Sequence, residues 1–118
     1  MKTLVLGGSL KEERYSNKAI KALRAAGHET LSIGLREGLV ADVKIEKERL
    51  AFEDVHTVSM YLGAARQEEY YDYILSLKPS RIIFNPGAEN PELSLLAEKA
   101  GIEVLNACTL VMLSLKNY

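Results

Sequence analysis

A single cysteine, Cys108, leaves no partner for an internal disulfide, and the only two histidines, His28 and His56, are too far apart in sequence for a zinc-finger spacing. A reducing cytoplasm is the expected location. Long hydrophobic runs are also missing. The start, Met1 to Gly7, has too short an apolar core for a signal peptide, and no stretch approaches the ~20 apolar residues of a spanning helix. Neither sign of charge is in excess: 15 Lys and Arg face 16 Asp and Glu, a formal net charge of -1. That removes the global basic field of non-specific nucleic-acid binders, so neither nucleic acid nor a membrane is an expected partner. Any anionic ligand must be held by a local arrangement. There is no repeat, no low-complexity tract and no Pro/Gly/Ser-rich linker, and the whole of residues 1–118 is expected to form one domain. What remains is ordinary globular composition, 47% hydrophobic and 26% charged, enough to bury a core.

The order of elements is legible from periodicity. Thr3 to Leu6 reads as a strand ended by Gly7 and Gly8. Ser16 then opens a helix with Ala19, Ile20, Leu23 and Ala26 at helical spacing before Gly27. Glu29 to Ile33 is a second strand stopped by Gly34, and residues 42–48 hold a possible edge strand. His56 to Leu62 is expected as a further strand, followed by a helix with Tyr70, Tyr73, Ile74 and Leu77 inward that stops before Lys78-Pro79. Arg81 to Asn85 is the next strand. Asn90 and Pro91 supply an N-cap and first-turn proline for a helix with Leu93, Leu96, Ala97 and Ala100 inward, and Gly101 ends it. Glu103 to Asn106 is the last strand, before an apolar tail. Strand and helix alternate with short connections, which predicts an α/β fold, a Rossmann-like three-layer sandwich on a parallel sheet of five strands or slightly more. In such a sheet ligands bind at the carboxyl ends of the strands, so the loops beginning near Gly7, Gly34, Leu62, Asn85 and Ala107 are the candidates.

The first of these loops combines Gly7, Gly8 and Ser9 with the start of a helix at Ser16 and Asn17. Glycine lets a phosphate approach backbone amides, and the helix dipole favours negative charge. The same residues also serve a tight strand exit and a helix cap. Arg14 and Lys18 are nearby cations, and Lys18, close to the helix start, is the better placed of the lysines. This loop is not the G-x-G-x-x-G dinucleotide fingerprint, because no third glycine stands in place. After the second strand the chain reads Gly34-Leu35-Arg36-Glu37, with no acid in the position where an NAD site bonds the ribose. Arg36 is suited instead to a phosphate, which guanidinium binds in bidentate fashion. Asn85, Pro86 and Gly87 form another strand-exit loop ahead of a helix N-terminus, and turn formation alone also explains them. Cys108 follows the last strand, but neither histidine lies in a strand-exit loop from which to activate it, so a packed, inert thiol is expected.

Taken together these stretches resemble the small single-domain coenzyme A-binding proteins, similar to the N-terminal CoA-binding domain of the succinyl-CoA synthetase alpha subunit. The resemblance is carried by Val5-Leu6-Gly7-Gly8-Ser9, Ser16-Asn17-Lys18, Ala26-Gly27-His28-Glu29, Asn85-Pro86-Gly87-Ala88-Glu89-Asn90, Ala100-Gly101-Ile102 and Cys108. It implies CoA or an acyl-CoA as ligand, with Gly8, Ser9 and Lys18 at the phosphates, Gly34, Leu35 and Arg36 near the adenosine, and Asn85 to Gly87 on the opposite wall. Gly34-Leu35 stands where the family often has Asn-Pro. Leu62-Gly63-Ala64-Ala65 stands where it has an arginine segment, with Arg66 just beyond, and Asn106-Ala107 replaces a charged pair. The synthetase's catalytic machinery lies in a further domain, so the resemblance implies a non-catalytic module. Two other classes stay open: a small NADP- or acyl-CoA-dependent enzyme, and a domain kept for protein association or a homodimer, for which the tyrosines at 61, 70, 71 and 73 are suited.

Overall fold

The computed structural model describes residues Met1–Tyr118. Seven strands form one sheet: β1 (Thr3–Gly8), β2 (Thr30–Gly34), β3 (Gly38–Val40), β4 (Val43–Glu46), β5 (Thr57–Met60), β6 (Arg81–Phe84) and β7 (Glu103–Asn106). Their spatial order is β3-β4-β2-β1-β5-β6-β7. All neighbours pair in parallel except β3 with β4, which form an antiparallel hairpin. The helices are α1 (Tyr15–Ala25), the short α2 (Ala64–Gln67) continued by a 3-10 turn at Glu68–Tyr70, α3 (Tyr71–Leu77), α4 (Pro91–Lys99) and α5 (Thr109–Ser114). This is the Rossmann-like three-layer α/β sandwich. The strand order reverses at β1: the chain first builds outward through β2, then returns to place β5 on the other side.

Alternation along the strands divides the core in two. Leu4, Leu6, Val58, Met60, Ile82 and Phe84 point to one face and pack with Ile74 of α3 and Leu93 and Ala97 of α4. Val5, Val43 and Ile45 point to the other and meet Ile20 and Leu23 of α1, with Leu113 of α5 and Tyr118 partly buried against them. No helix is long and apolar enough to cross a membrane.

Several boundaries differ from the periodicity reading. Residues 38–46 form a two-stranded hairpin rather than one edge strand, because Ala41 takes a positive φ of 54° and turns the chain. Leu96 and Ala100 of α4 are exposed, not inward. A nine-residue helix on a sheet edge buries a stripe only as wide as Leu93 and Ala97 supply. Ala26 is likewise exposed, being the C-cap of α1 rather than part of its packed face. Asn90 does cap α4: its side chain accepts a hydrogen bond from the Leu93 amide at 3.1 Å, with Pro91 in the first turn. The apolar tail folds as α5.

Candidate functional site

Where the strand order reverses, the carboxyl ends of β1, β2, β5 and β6 surround a cleft of about 560 Å³, within the range of small-molecule and cofactor sites. Its floor is made by glycine. Gly7 sits at φ 101°, a left-handed conformation that kinks β1 between Leu6 and Gly8 and shifts its register against β2. Beyond the kink the backbones of β1 and β2 come into direct contact. A Cβ on Gly8 would run into the Ser32 Oγ, and one on Gly34 into the Gly8 carbonyl oxygen. Ser32 cannot swing away freely, because its hydroxyl donates to the Val5 carbonyl at 2.9 Å.

The start of α1 faces this floor. Ser16 does not cap it. The helix begins one residue earlier, at Tyr15, with Arg14 as an extended N-cap that makes no side-chain cap bond, and its first turn holds no acid. Ser9 accepts from the Lys11 amide at 3.1 Å and the Arg14 amide bonds to the Lys11 carbonyl at 3.1 Å, so the loop closes early and leaves Ser16 buried in the first turn. The first amides of α1 therefore have no side-chain acceptor, and with the helix dipole they form a positive end open to an anion. Asn17, only 2% exposed, donates from Nδ2 to the Ser9 carbonyl at 2.9 Å and ties this helix start to the glycine loop.

Of the residues singled out from sequence, Gly7, Gly8, Ser9, Arg14, Ser16, Gly34, Leu35, Arg36 and Pro86 line the cleft. Asn17, Lys18, Asn85 and Gly87 do not. Lys18 projects instead over the Tyr15 ring, with Nζ 5.3 Å from its centroid. Asn85 is buried beneath the loop, donating to the Ser59 Oγ at 3.0 Å and the Met60 carbonyl at 2.9 Å, and accepting from the Thr109 amide at 2.8 Å. Gly87, at φ 93°, donates its amide to the Glu89 carboxylate at 2.9 Å. The wall after β5 adds Tyr61, Leu62, Gly63, Arg66 and Tyr70. Burial, with Cys108 nearby as a second influence, pushes the Tyr61 phenol far above its usual range and keeps it neutral.

The charge in the cleft is one-sided. Lys11, Arg14, Arg36 and Arg66 line it, and no Asp, Glu, His or Cys does. The chain's five ion pairs, Lys2–Glu29, Lys21–Glu12, Arg24–Asp42, Lys44–Glu46 and Arg49–Glu69, all leave these four cations out. A protein of net charge -1 thus collects unpaired positive charge at one place, where no acid of the fold neutralises it.

One positioning residue escaped the sequence reading. Gln67, fully buried, donates from Nε2 to the Leu62 carbonyl at 2.8 Å and the Ala88 carbonyl at 2.7 Å, joining the loop after β5 to the loop after β6. Its Oε1 accepts from Asn90 Nδ2 at 2.9 Å, and the same Asn90 amide donates to the Tyr71 hydroxyl at 2.8 Å. Every polar group of the Gln67 amide is used, so the two walls are fixed relative to each other. Only the tertiary fold reveals this. In sequence Gln67 stands among Arg66, Glu68 and Glu69 and reads as surface.

A Rossmann-like domain with an anion-ready crevice at its strand switch point is the class that fold and site define. The chain matches the CoA binding domain family over residues 1–114 and belongs to that family. It is similar to an uncharacterized protein of known crystal structure at 44% identity, with a TM-score of 0.96, 99% of this chain and 97% of that one covered. A hypothetical protein from Pyrococcus horikoshii OT3 is 22% identical with a TM-score of 0.83, over 92% of this chain and 78% of that one. A Thermus thermophilus protein is 17% identical with a TM-score of 0.86, over 99% and 90%. These last two share the fold. No curated protein matches in sequence.

Proposed function

We propose that this protein is a non-catalytic module that binds coenzyme A or an acyl-CoA in the cleft at the carboxyl ends of β1, β2, β5 and β6. The observation that carries the reading is the gathering of four unpaired cations, a glycine floor and an open helix start around one cleft with no acid in its lining. CoA is a polyanionic ligand with an extended body, and family membership over residues 1–114 supports it above other anions. The diphosphate would lie over Gly8, Ser9 and the first amides of α1. Arg36, beside the cleft after β2, would meet the ribose phosphate, and Arg66 would supply the cation on the β5 wall, where the sequence lacks the family's arginine segment. Tyr61, Leu62, Tyr70 and Pro86 offer apolar surface to the pantetheine arm and acyl group. The lining supplies amides, hydroxyls and cations but no carboxylate, imidazole or thiol for proton transfer or attack, which supports binding over catalysis.

Calorimetric titration with CoA, acetyl-CoA, NAD and NADP tests this reading. CoA or its acetyl ester should bind more tightly than either dinucleotide. Equal or tighter binding of NAD overturns the ligand assignment, and no binding of any of the four favours a domain retained for protein association.

A further inference from the structure

Residues 109–118 form a strap across the face of the sheet that carries α1, and it is fastened near Thr109 and at Tyr118. Next to the cleft, Thr109 is fully buried. Its amide donates to the Asn85 Oδ1 at 2.8 Å, and its hydroxyl shares a 2.7 Å hydrogen bond with the Ser59 hydroxyl. At the far end, Lys116 takes a positive φ of 58°, and the amides of Lys116 and Asn117 bond back to the carbonyls of Leu113 and Met112 at 3.1 and 3.0 Å. This turn re-aims the chain so that Tyr118 reaches the amino ends of the strands. There the Thr3 hydroxyl donates to the Met1 carbonyl at 3.0 Å, so the Tyr118 phenol must be the donor in its 2.6 Å bond to Thr3. The Tyr118 ring is covered by the Arg81 guanidinium, 4.6 Å from its centroid, and meets the His28 ring at 5.0 Å.

Between these fastenings the strap lies against α1 and is only partly buried. The helix α5 has six residues, too few to be stable alone, and Val111 and Leu115 are 52% and 66% exposed. Only Leu113 and Tyr118 pack onto the small core of this face. Docking of the strap therefore relies on its two ends and on Leu113, the conditions under which a segment opens locally.

The strap also meets the cleft wall at two points. Asn85, which holds Thr109, is followed directly by Pro86 in the cleft wall. Tyr61 lines the cleft and packs on the same small core as Leu113 and Tyr118. We propose that strap docking and cleft occupancy are one linked equilibrium: a ligand seated against Tyr61 and Pro86 holds the strap down, and release of the strap weakens the ligand. Tyr61 borders both strap and cleft, and Pro86 is tied to Thr109 through Asn85, so ligand and docked strap would bear on the same residues, and any such coupling must be reciprocal.

This inference rests on the CoA reading, and coenzyme A is the probe. Hydrogen exchange of the amides of residues 110–117 should slow by about fivefold when the protein is saturated with CoA, the scale expected of one net hydrogen bond. Tyr118→Phe, which keeps the ring and loses the donor, should speed the same exchange several-fold in the free protein and weaken CoA. Thr109→Val should do the same from the other end, while Thr109→Ser, which keeps the hydroxyl, should stay near the parent. Strap exchange that is identical with and without bound CoA overturns the coupling. So does a Tyr118→Phe protein whose strap opens faster while CoA affinity is unchanged. If the parent protein binds no CoA, the functional reading fails and the coupling falls with it.

Discussion

The two faces of the sheet are built to different rules. On the side of α3 and α4, fourteen buried apolar residues form a continuous hydrocarbon core. On the side of α1 and α5 the buried apolar cluster has six, and the space beside it is filled by Thr3, Ser32, Thr57, Ser59, Arg81, Asn85 and Thr109, all buried. These polar groups are hydrogen-bonded in three separate groups: Arg81 Nε to Thr57 at 2.8 Å, Asn85 to Ser59 and Ser59 with Thr109, and Tyr118 with Thr3. Hydrophobic packing is non-directional and tolerates repacking, whereas buried hydrogen bonds fix which atoms meet and penalise each loss separately. One face therefore holds the fold. The other sets the geometry of loops that open into the cleft.

Substitutions that remove volume from the first face should have the largest effect. Phe84→Ala, at a fully buried position under α3 and α4, should cost about 3–5 kcal/mol in denaturant unfolding. A loss under 1 kcal/mol would show that this face is not the principal core. On the polar face Asn85→Ala deletes little volume but strands the Thr109 amide and frees the Ser59 hydroxyl, and should cost about 2 kcal/mol. Its signature is local: hydrogen exchange should rise most in 109–117. Uniform acceleration throughout the sheet would erase the contrast between the faces.

A third substitution acts where the faces join. Gly34→Ala sets a methyl group against the Gly8 carbonyl and must part β1 from β2 at the cleft floor. It should cost roughly 1–3 kcal/mol by overpacking and weaken CoA by a larger factor than any single surface cation. Unchanged affinity would remove the glycine floor from the ligand site. Arg36→Ala should weaken CoA by about 1–2 kcal/mol, with the loss shrinking for dephospho-CoA. An equal loss for both ligands would assign Arg36 to the diphosphate instead.

The difference between the faces also explains how far sequence could reach. Apolar runs such as Thr3–Leu6 and Arg81–Asn85, punctuated by glycine, place the central strands and the cleft at their ends. The resemblance placed the glycine loop and Arg36 beside that cleft, and Gly7, Gly8, Ser9 and Arg36 line it. The polar face was not legible, because Ser59, Thr57 and Arg81 are residue types that usually meet water, and nothing local marks them as buried. Lys18 shows the limit at single-residue scale: its sequence distance from the loop is right, but the helix rotation sends it over Tyr15 instead. In sequence the strap shows only as an apolar tail, since six helical residues give too few turns for a period.

The smallest expected effect is a pH dependence that belongs to the polar face alone. His28 touches the Tyr118 ring, and His56 pairs through Nδ1 with the Thr57 hydroxyl at 2.8 Å, the same hydroxyl that accepts from Arg81. Burial, and then nearby positive charge including that of Arg81, holds both imidazoles below their ordinary value of 6.5. In the folded protein they stay neutral at a pH where the unfolded chain already binds protons. Between the depressed folded values and 6.5 the unfolded state takes up more protons, so stability present at neutral pH should fall as pH drops below about 6.5. The Asp42 carboxylate, held below its ordinary 3.8 by its hydrogen bond to Arg24, adds little to this slope above pH 5. Melting temperatures measured from pH 7.5 to 5.5 should therefore decline, and the decline should flatten in a His28→Gln, His56→Gln double variant. A melting temperature that rises on acidification, or a slope that the double variant leaves unchanged, would place the titrating groups elsewhere. Hydrogen exchange at the same pH values localises the loss, which should begin at residues 110–117, where Tyr118 lies against His28 and Arg81, before it reaches the sheet.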